Sequence, residues 1–218
     1  MVNLQDWIKR YEQAITGVFG SRVLFIGIQG SYAREEANEN SDIDIVLILD
    51  QIHIHDLRTY KQILSHLPEE KRICGFVSGK EELSHWAPYD LFQFYTDTLP
   101  ICGNLDDIIA KPTTEQARAA LQAGACNIYH ACSHNYIHAM DHTMLQALYK
   151  NAFFVIQAKL YYEQGYNCSS RREASRMCQK EDSTILETSS NPQVITDETL
   201  EKYSQILLDW TSRILCNL

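Results

Sequence analysis

Residues 22–49 read RVLFIGIQGSYAREEANENSDIDIVLIL. The runs Arg22–Ile28 and Ile43–Leu49 are short, apolar and rich in β-formers, so both are expected to be buried strands. A polar segment, Ser31–Ser41, joins them. Side chains alternate along a strand, so Asp42 and Asp44 point to one side, about 7 Å apart along the backbone. A D-x-D alone is common, but this one opens onto I-V-L-I-L. Two ionised carboxylates at the mouth of a buried strand are costly unless a cation offsets them. Mg²⁺ takes oxygen ligands and usually shares them with substrate phosphates, so the pair suits such an ion. Gly30 lets a ligand approach the backbone, and Ser31 can offer its hydroxyl and N–H to a phosphate at the start of a helix.

Upstream, Leu4, Trp7, Ile8, Tyr11, Ala14, Ile15, Val18 and Phe19 recur at helical spacing, predicting a helix over about 4–18 that stops at Gly20. Downstream, Leu57–Leu67 predicts a helix ended by Pro68, and Ile73–Val77 a third strand. Glu81–Tyr95 should be partly helical with a break at Pro88, and Leu99–Cys102 a last short strand. The character then changes. Seven of the nine glycines and four of the five prolines precede residue 113, whereas Thr113–Asn191 holds no proline. Long helices are expected over 115–163, then a shorter one from Arg171 and an amphipathic one over 197–215. The polar stretch 180–196 is expected to be a loop. The fold class is therefore α+β: residues 1–110 form a domain with a small mixed sheet flanked by helices, and residues 111–218 an all-α bundle.

The 218 residues carry 19 basic and 28 acidic side chains, a formal charge of −9. So negative a surface repels a phosphate backbone, which argues against long nucleic acid as partner. No apolar run approaches the ~20 residues that span a bilayer, and the start, MVNLQDWIK, lacks a signal-like core, so a cytoplasmic location is expected. Seven cysteines with no C-x-x-C pair argue against a disulfide framework or a zinc ribbon, and reduced, mostly buried thiols are expected.

The stretch Gly30-Ser31-Tyr32-Ala33-Arg34-Glu35-Glu36-Ala37, followed by Ser41-Asp42-Ile43-Asp44, resembles the G-S-x-A-R-G-x-A…S-D-x-D signature of the polymerase-beta-type nucleotidyltransferase superfamily. The resemblance covers about residues 20–105. It implies a nucleoside triphosphate, most plausibly ATP, bound through Mg²⁺, with the nucleoside monophosphate passed to an acceptor hydroxyl and pyrophosphate released. Asp42 and Asp44 would be the metal ligands. Gly30, Ser31 and Ser41 would hold the nucleotide, and Arg34 would sit near the phosphates or steady the loop. Two departures stand out. Glu35 replaces the usual glycine, and the third strand supplies no acid where the family normally places a third carboxylate, often the general base. Glu81, Glu82, Asp90 and Asp97 are the candidates to replace it. Asp90, which opens the apolar run Leu91–Tyr95, is taken as catalytic.

The helical half, from Leu148 through Tyr166 and on to Ser169-Ser-Arg-Arg-Glu-Ala174, is similar to the C-terminal domain of aminoglycoside-adenylating enzymes. That similarity implies a small-molecule acceptor, and a negative chain would attract a polycationic one. Related helical partners occur in toxin–antitoxin pairs. Their ribonuclease form needs a histidine soon after an arginine, and none follows His142. The alternative function is a degenerate or antitoxin-like nucleotide-binding module acting on a protein partner, which the missing acid favours. Two other features lie outside the signature. His130, His134, His138 and His142 recur every four residues, so adjacent pairs share a helix face and could clip a transition metal, although polar residues lining a surface are the more ordinary reading. Lys150 and Lys159 could reach a triphosphate, but exposed lysines are the default.

Overall fold

The apolar runs of the first half form a four-stranded sheet of Val23–Gln29 (β1), Ile43–Leu49 (β2), Ile73–Gly79 (β3) and Leu99–Cys102 (β4), in the order β3-β2-β1-β4. β1 runs antiparallel to both β2 and β4, and β3 runs parallel to β2. The sheet is therefore mixed, as expected. This computed structural model describes residues 3–218, so Met1 and Val2 of the start discussed above lie outside the described residues.

Leu4–Phe19 (α1) begins where Asn3 accepts the backbone N–H of Asp6 and ends at Gly20, whose φ of +54° lies in the left-handed region open to glycine. It buries Trp7, Tyr11, Ile15 and Phe19 against Ile26, Ile28, Ile43, Ile45 and Leu47 of the sheet. That cluster is the first core. Gly30–Ala33 (α2) follows β1, and Ile54–Leu64 (α3) follows β2. Pro88 divides Lys80–Ser84 (α4) from Pro88–Asp97 (α5), as its missing N–H and fixed φ require.

The chain separates into two compact units, one of residues 1–87 and 97–111 and the other of 88–96 and 112–218. The division falls inside α5. Residues Pro88–Thr96 group with the helical unit, to whose core Phe92 belongs, whereas the last residue, Asp97, groups with the sheet.

The second unit is built on Thr114–His134 (α6) and His142–Gln164 (α7), joined by a π-helical turn at Asn135–Ala139. Gly165, at φ +66°, ends α7. Arg171–Met177 (α8), Lys180–Ser190 (α9) and Leu200–Cys216 (α10) complete the unit. The expectation of a loop over 180–196 fails for its first eleven residues, which form α9. Serines and threonines have weak helix propensity, but tertiary burial overrides it. Ile185 and Leu186 are 1% exposed, and buried Asp182 accepts both Lys159 Nζ and Trp210 Nε1 at 2.8 Å. Lys159 is thus committed to an ion pair within the bundle, while Lys150 stays exposed. The cysteines are unpaired, and only Cys132 and Cys168 are buried, so the expectation of mostly buried thiols fails as well.

Replacing Asp182 with Ala would leave Lys159 without its counter-charge and the Trp210 N–H without an acceptor. Loss of one partner of a buried pair costs about 3 kcal/mol or more. Urea unfolding of Asp182→Ala should show a loss of that size, and a change under about 0.5 kcal/mol, typical of a surface position, would show that α9 is not anchored through this residue.

Candidate active site

The antiparallel register of β1 and β2 sets Gln29 opposite Asp44, which brings the loop after β1 against the first turn of β2. Gly30 has φ +69°, and a Cβ there would overlap Oδ2 of Asp44. Only a residue without a side chain leaves that carboxylate its place. Asp44 is half-buried and Asp42 exposed. Burial pushes the Asp44 carboxyl above the ordinary aspartate range, and the negative charges of Asp42 and Asp97 push the same way. Arg34 opposes them more weakly.

Asp97 fastens the loop. One of its oxygens accepts the Gly30 N–H at 3.2 Å, and the other pairs with Nη1 of Arg34. Arg34 also reaches Glu36 at 3.5 Å. Arg34 therefore ties the loop to the residue that leads into β4, and next to Asp97 the Thr98 hydroxyl accepts a hydrogen bond from Gln29 at 2.7 Å. Ser31 lies in α2, and its carbonyl accepts the Glu36 N–H at 2.8 Å. The Ser41 hydroxyl accepts the Asn38 N–H at 2.8 Å, closing the turn ahead of Asp42.

Arg72 is a supporting residue that the sequence offered no reason to select. Its Nε and Nη2 donate to the Ser41 carbonyl at 3.0 and 2.6 Å, and Nη2 also meets the Tyr32 hydroxyl at 3.2 Å. One guanidinium thus holds both ends of the polar segment. No short-range motif signals this, because its partners lie 31 and 40 residues away.

Two departures from the signature acquire physical meaning here. Glu35 has φ +58°, a left-handed conformation in which glycine carries no steric penalty and other residues do. A glycine would adopt that angle without strain, and this chain carries a glutamate there. On β3, the residue opposite Asp44 is Cys74, so the strand neighbouring the aspartates offers a thiol and no carboxylate. Of the four candidates for the third acid, Glu81 and Glu82 are exposed on α4, and Asp97 is bound to Gly30 and Arg34. Asp90 is exposed on α5 and lines a cavity of about 430 Å³ in the second unit. Gln93, Asn127 and Asn151 add polar groups to that cavity, Phe92 and Phe154 apolar ones, and Ala120 and Gly124 leave it room.

A mixed sheet with a glycine-serine turn leading to paired aspartates is the arrangement expected of a nucleotidyltransferase domain. Residues 14–83 match the sequence profile of the nucleotidyltransferase domain. The structure is similar in fold to the spectinomycin adenyltransferase AAD(9) from Enterococcus faecialis, crystallised with ATP and spectinomycin. The TM-score is 0.57 at 11% identity, over 97% of this chain and 98% of that one. No curated protein sequence matches the chain.

Two substitutions test the geometry. Glu35→Gly should relieve the left-handed strain and stabilise the protein by about 1 kcal/mol, raising Tm by about 2–4 °C; an unchanged or lower Tm would contradict the strain. Asp44→Asn should also raise the Tm of the metal-free protein at neutral pH. Its folded-state pKa is raised, so the charge penalty is fully present above that pKa and vanishes below the unfolded value of about 4. The gain should therefore disappear on acidification, and a loss of stability at pH 7 would refute the argument.

Proposed function

We propose that the chain transfers a nucleoside monophosphate, AMP in the first instance, from a nucleoside triphosphate to a hydroxyl of a small acceptor, with release of pyrophosphate. The observation that carries this reading is the Asp44 carboxylate, pressed against the bare Gly30 and held among like charges. Such an arrangement is stable at neutral pH when a hard cation neutralises it. Asp42 and Asp44 would hold Mg²⁺, which supplies charge neutralisation on the triphosphate and a template for in-line displacement. Gly30, Ser31 and Ser41 would border the phosphates. Arg34 keeps the loop in place through Asp97.

Asp90 is the proposed acceptor-side base. Its support is chemical: a carboxylate on the wall of a cavity with amide partners can take the proton of a bound hydroxyl. The cavity volume suits a molecule of aminoglycoside or aminocyclitol size, and the ATP and spectinomycin bound to the similar enzyme are in keeping with a triphosphate donor and a small hydroxylated acceptor. The charge of −9 would favour a cationic one.

A second reading is favoured by one observation, the thiol of Cys74 where the neighbouring strand could have offered a carboxylate. On that reading the chain binds nucleotide without transferring it, as a regulatory module would. A pyrophosphate-release assay with Mg²⁺-ATP and a panel of aminoglycosides and aminocyclitols separates the two. The transferase reading expects release that depends on acceptor and metal, a loss of at least about 100-fold in Asp44→Asn, and a smaller kcat loss with KM for ATP retained in Asp90→Asn. Metal-dependent nucleotide binding without pyrophosphate release would favour the second reading, and turnover surviving Asp44→Asn would remove the first.

A further inference from the structure

Four histidines recur along the end of α6 and the start of α7, and the transfer chemistry uses none of them. His142 is committed, its Nδ1 lying 2.7 Å from Asp197. His130, His134 and His138 are exposed. Their ring separations differ. The centroids of His130 and His134, one ordinary helical step apart, are 6.1 Å from each other, whereas those of His134 and His138 are 4.5 Å apart with planes tilted by 50°.

The difference follows from the backbone. Four residues rotate an α-helix by about 400°, which splays an i, i+4 pair. After His134 the chain widens into the π turn Asn135–Ala139, closed by a Met140 N–H to Asn135 carbonyl bond of 2.7 Å. Wider turns rotate less per residue and bring His138 back over His134. The turn is pinned rather than loose. Asn135 is fully buried, its Nδ2 donates to the Asp141 carbonyl at 2.9 Å, and its Oδ1 accepts the Asp141 N–H at 3.1 Å. Met140 takes a left-handed φ of +52° to close it. Strain of that kind persists only where the surroundings impose it.

Coordination geometry selects one pair. An imidazole nitrogen binds a borderline divalent ion at about 2.0–2.1 Å, which puts the ring centre about 3.2 Å from the ion. Two rings in adjacent positions, at about 90–110°, then stand about 4.5–5.2 Å apart. His134 and His138 fall in that interval, while a separation of 6.1 Å needs an angle near roughly 145°, outside adjacent positions of a tetrahedral or octahedral shell.

We propose that His134 and His138 form a two-histidine chelate for a borderline transition-metal ion of the Zn²⁺, Ni²⁺ or Cu²⁺ class, held ready by the π turn. Among the described residues no group of three or more His, Cys, Asp and Glu side chains surrounds a common point, so water completes the shell. Imidazole ligands without carboxylates select such ions over Mg²⁺, which separates this site from the aspartate pair.

The test is calorimetric titration of the full chain with NiCl₂, backed by thermal melts with and without the metal. One ion per chain is expected, with a rise in Tm. His134→Ala and His138→Ala should each weaken binding at least about tenfold and abolish the Tm rise. His130→Ala and Cys126→Ser, which probe the neighbouring helical steps, should change affinity by less than about threefold. Absence of stoichiometric binding overturns the proposal, as does an equal loss in His130→Ala or Cys126→Ser. Since Asp44→Asn should leave Ni²⁺ affinity unchanged, failure here and failure of the transferase reading are separate results.

Discussion

The candidate site depends on one crowded contact, the Asp44 carboxylate against the uncovered Cα of Gly30. It arises because β1 and β2 are antiparallel neighbours in a register that sets Gln29 against Asp44. Asp97 then holds the Gly30 N–H and the Arg34 guanidinium, so the loop cannot swing away to relieve the charge. Arg72 closes the other side by gripping the Ser41 carbonyl. The electrostatic cost thereby stays in place in the free protein, and on the proposed function a bound cation would offset it.

Much of this was legible in the order of residues. Two apolar strands around a polar segment are read from composition alone, because a strand buried on both faces cannot alternate. The breaks at Gly20, Pro68 and Pro88 follow from backbone chemistry, and helices and strands occur close to those positions. Gly30, Asp42 and Asp44 stand out through spacing. Asp97 is among the candidates for a third acid, but its hold on Gly30 and Arg34 was not legible, and Arg72 did not stand out at all, since each acts on groups 31 to 67 residues away and no local pattern encodes such a pairing. The helix α9 escaped for a related reason. Its serines and threonines speak for a loop, and its stability comes from Lys159 and Trp210, which lie in other helices.

Departures from the family pattern are the informative positions. Glu35 occupies a left-handed angle that glycine adopts without strain, so at this position the signature's usual residue and the local backbone agree where this chain's residue does not. Cys74 shows the reverse case, where the strand pairing is present and the expected carboxylate is not. The helical unit has its own logic. At Gly124 a Cβ would stand 2.7 Å from Val155, so this glycine lets α6 and α7 pack closely, and it also lines the cavity that holds Asp90. The π turn between the same two helices is what distinguishes His134 and His138 from the other regularly spaced histidines.

The most direct measurement is a carboxyl-carbon NMR titration of Asp44, carried out without ligand and again with Mg²⁺ and a non-hydrolysable ATP analogue. The account requires a midpoint above the ordinary aspartate range in the free protein and a marked fall once metal and nucleotide are bound. A midpoint already at or below the ordinary value, or one indifferent to metal and nucleotide, would contradict it.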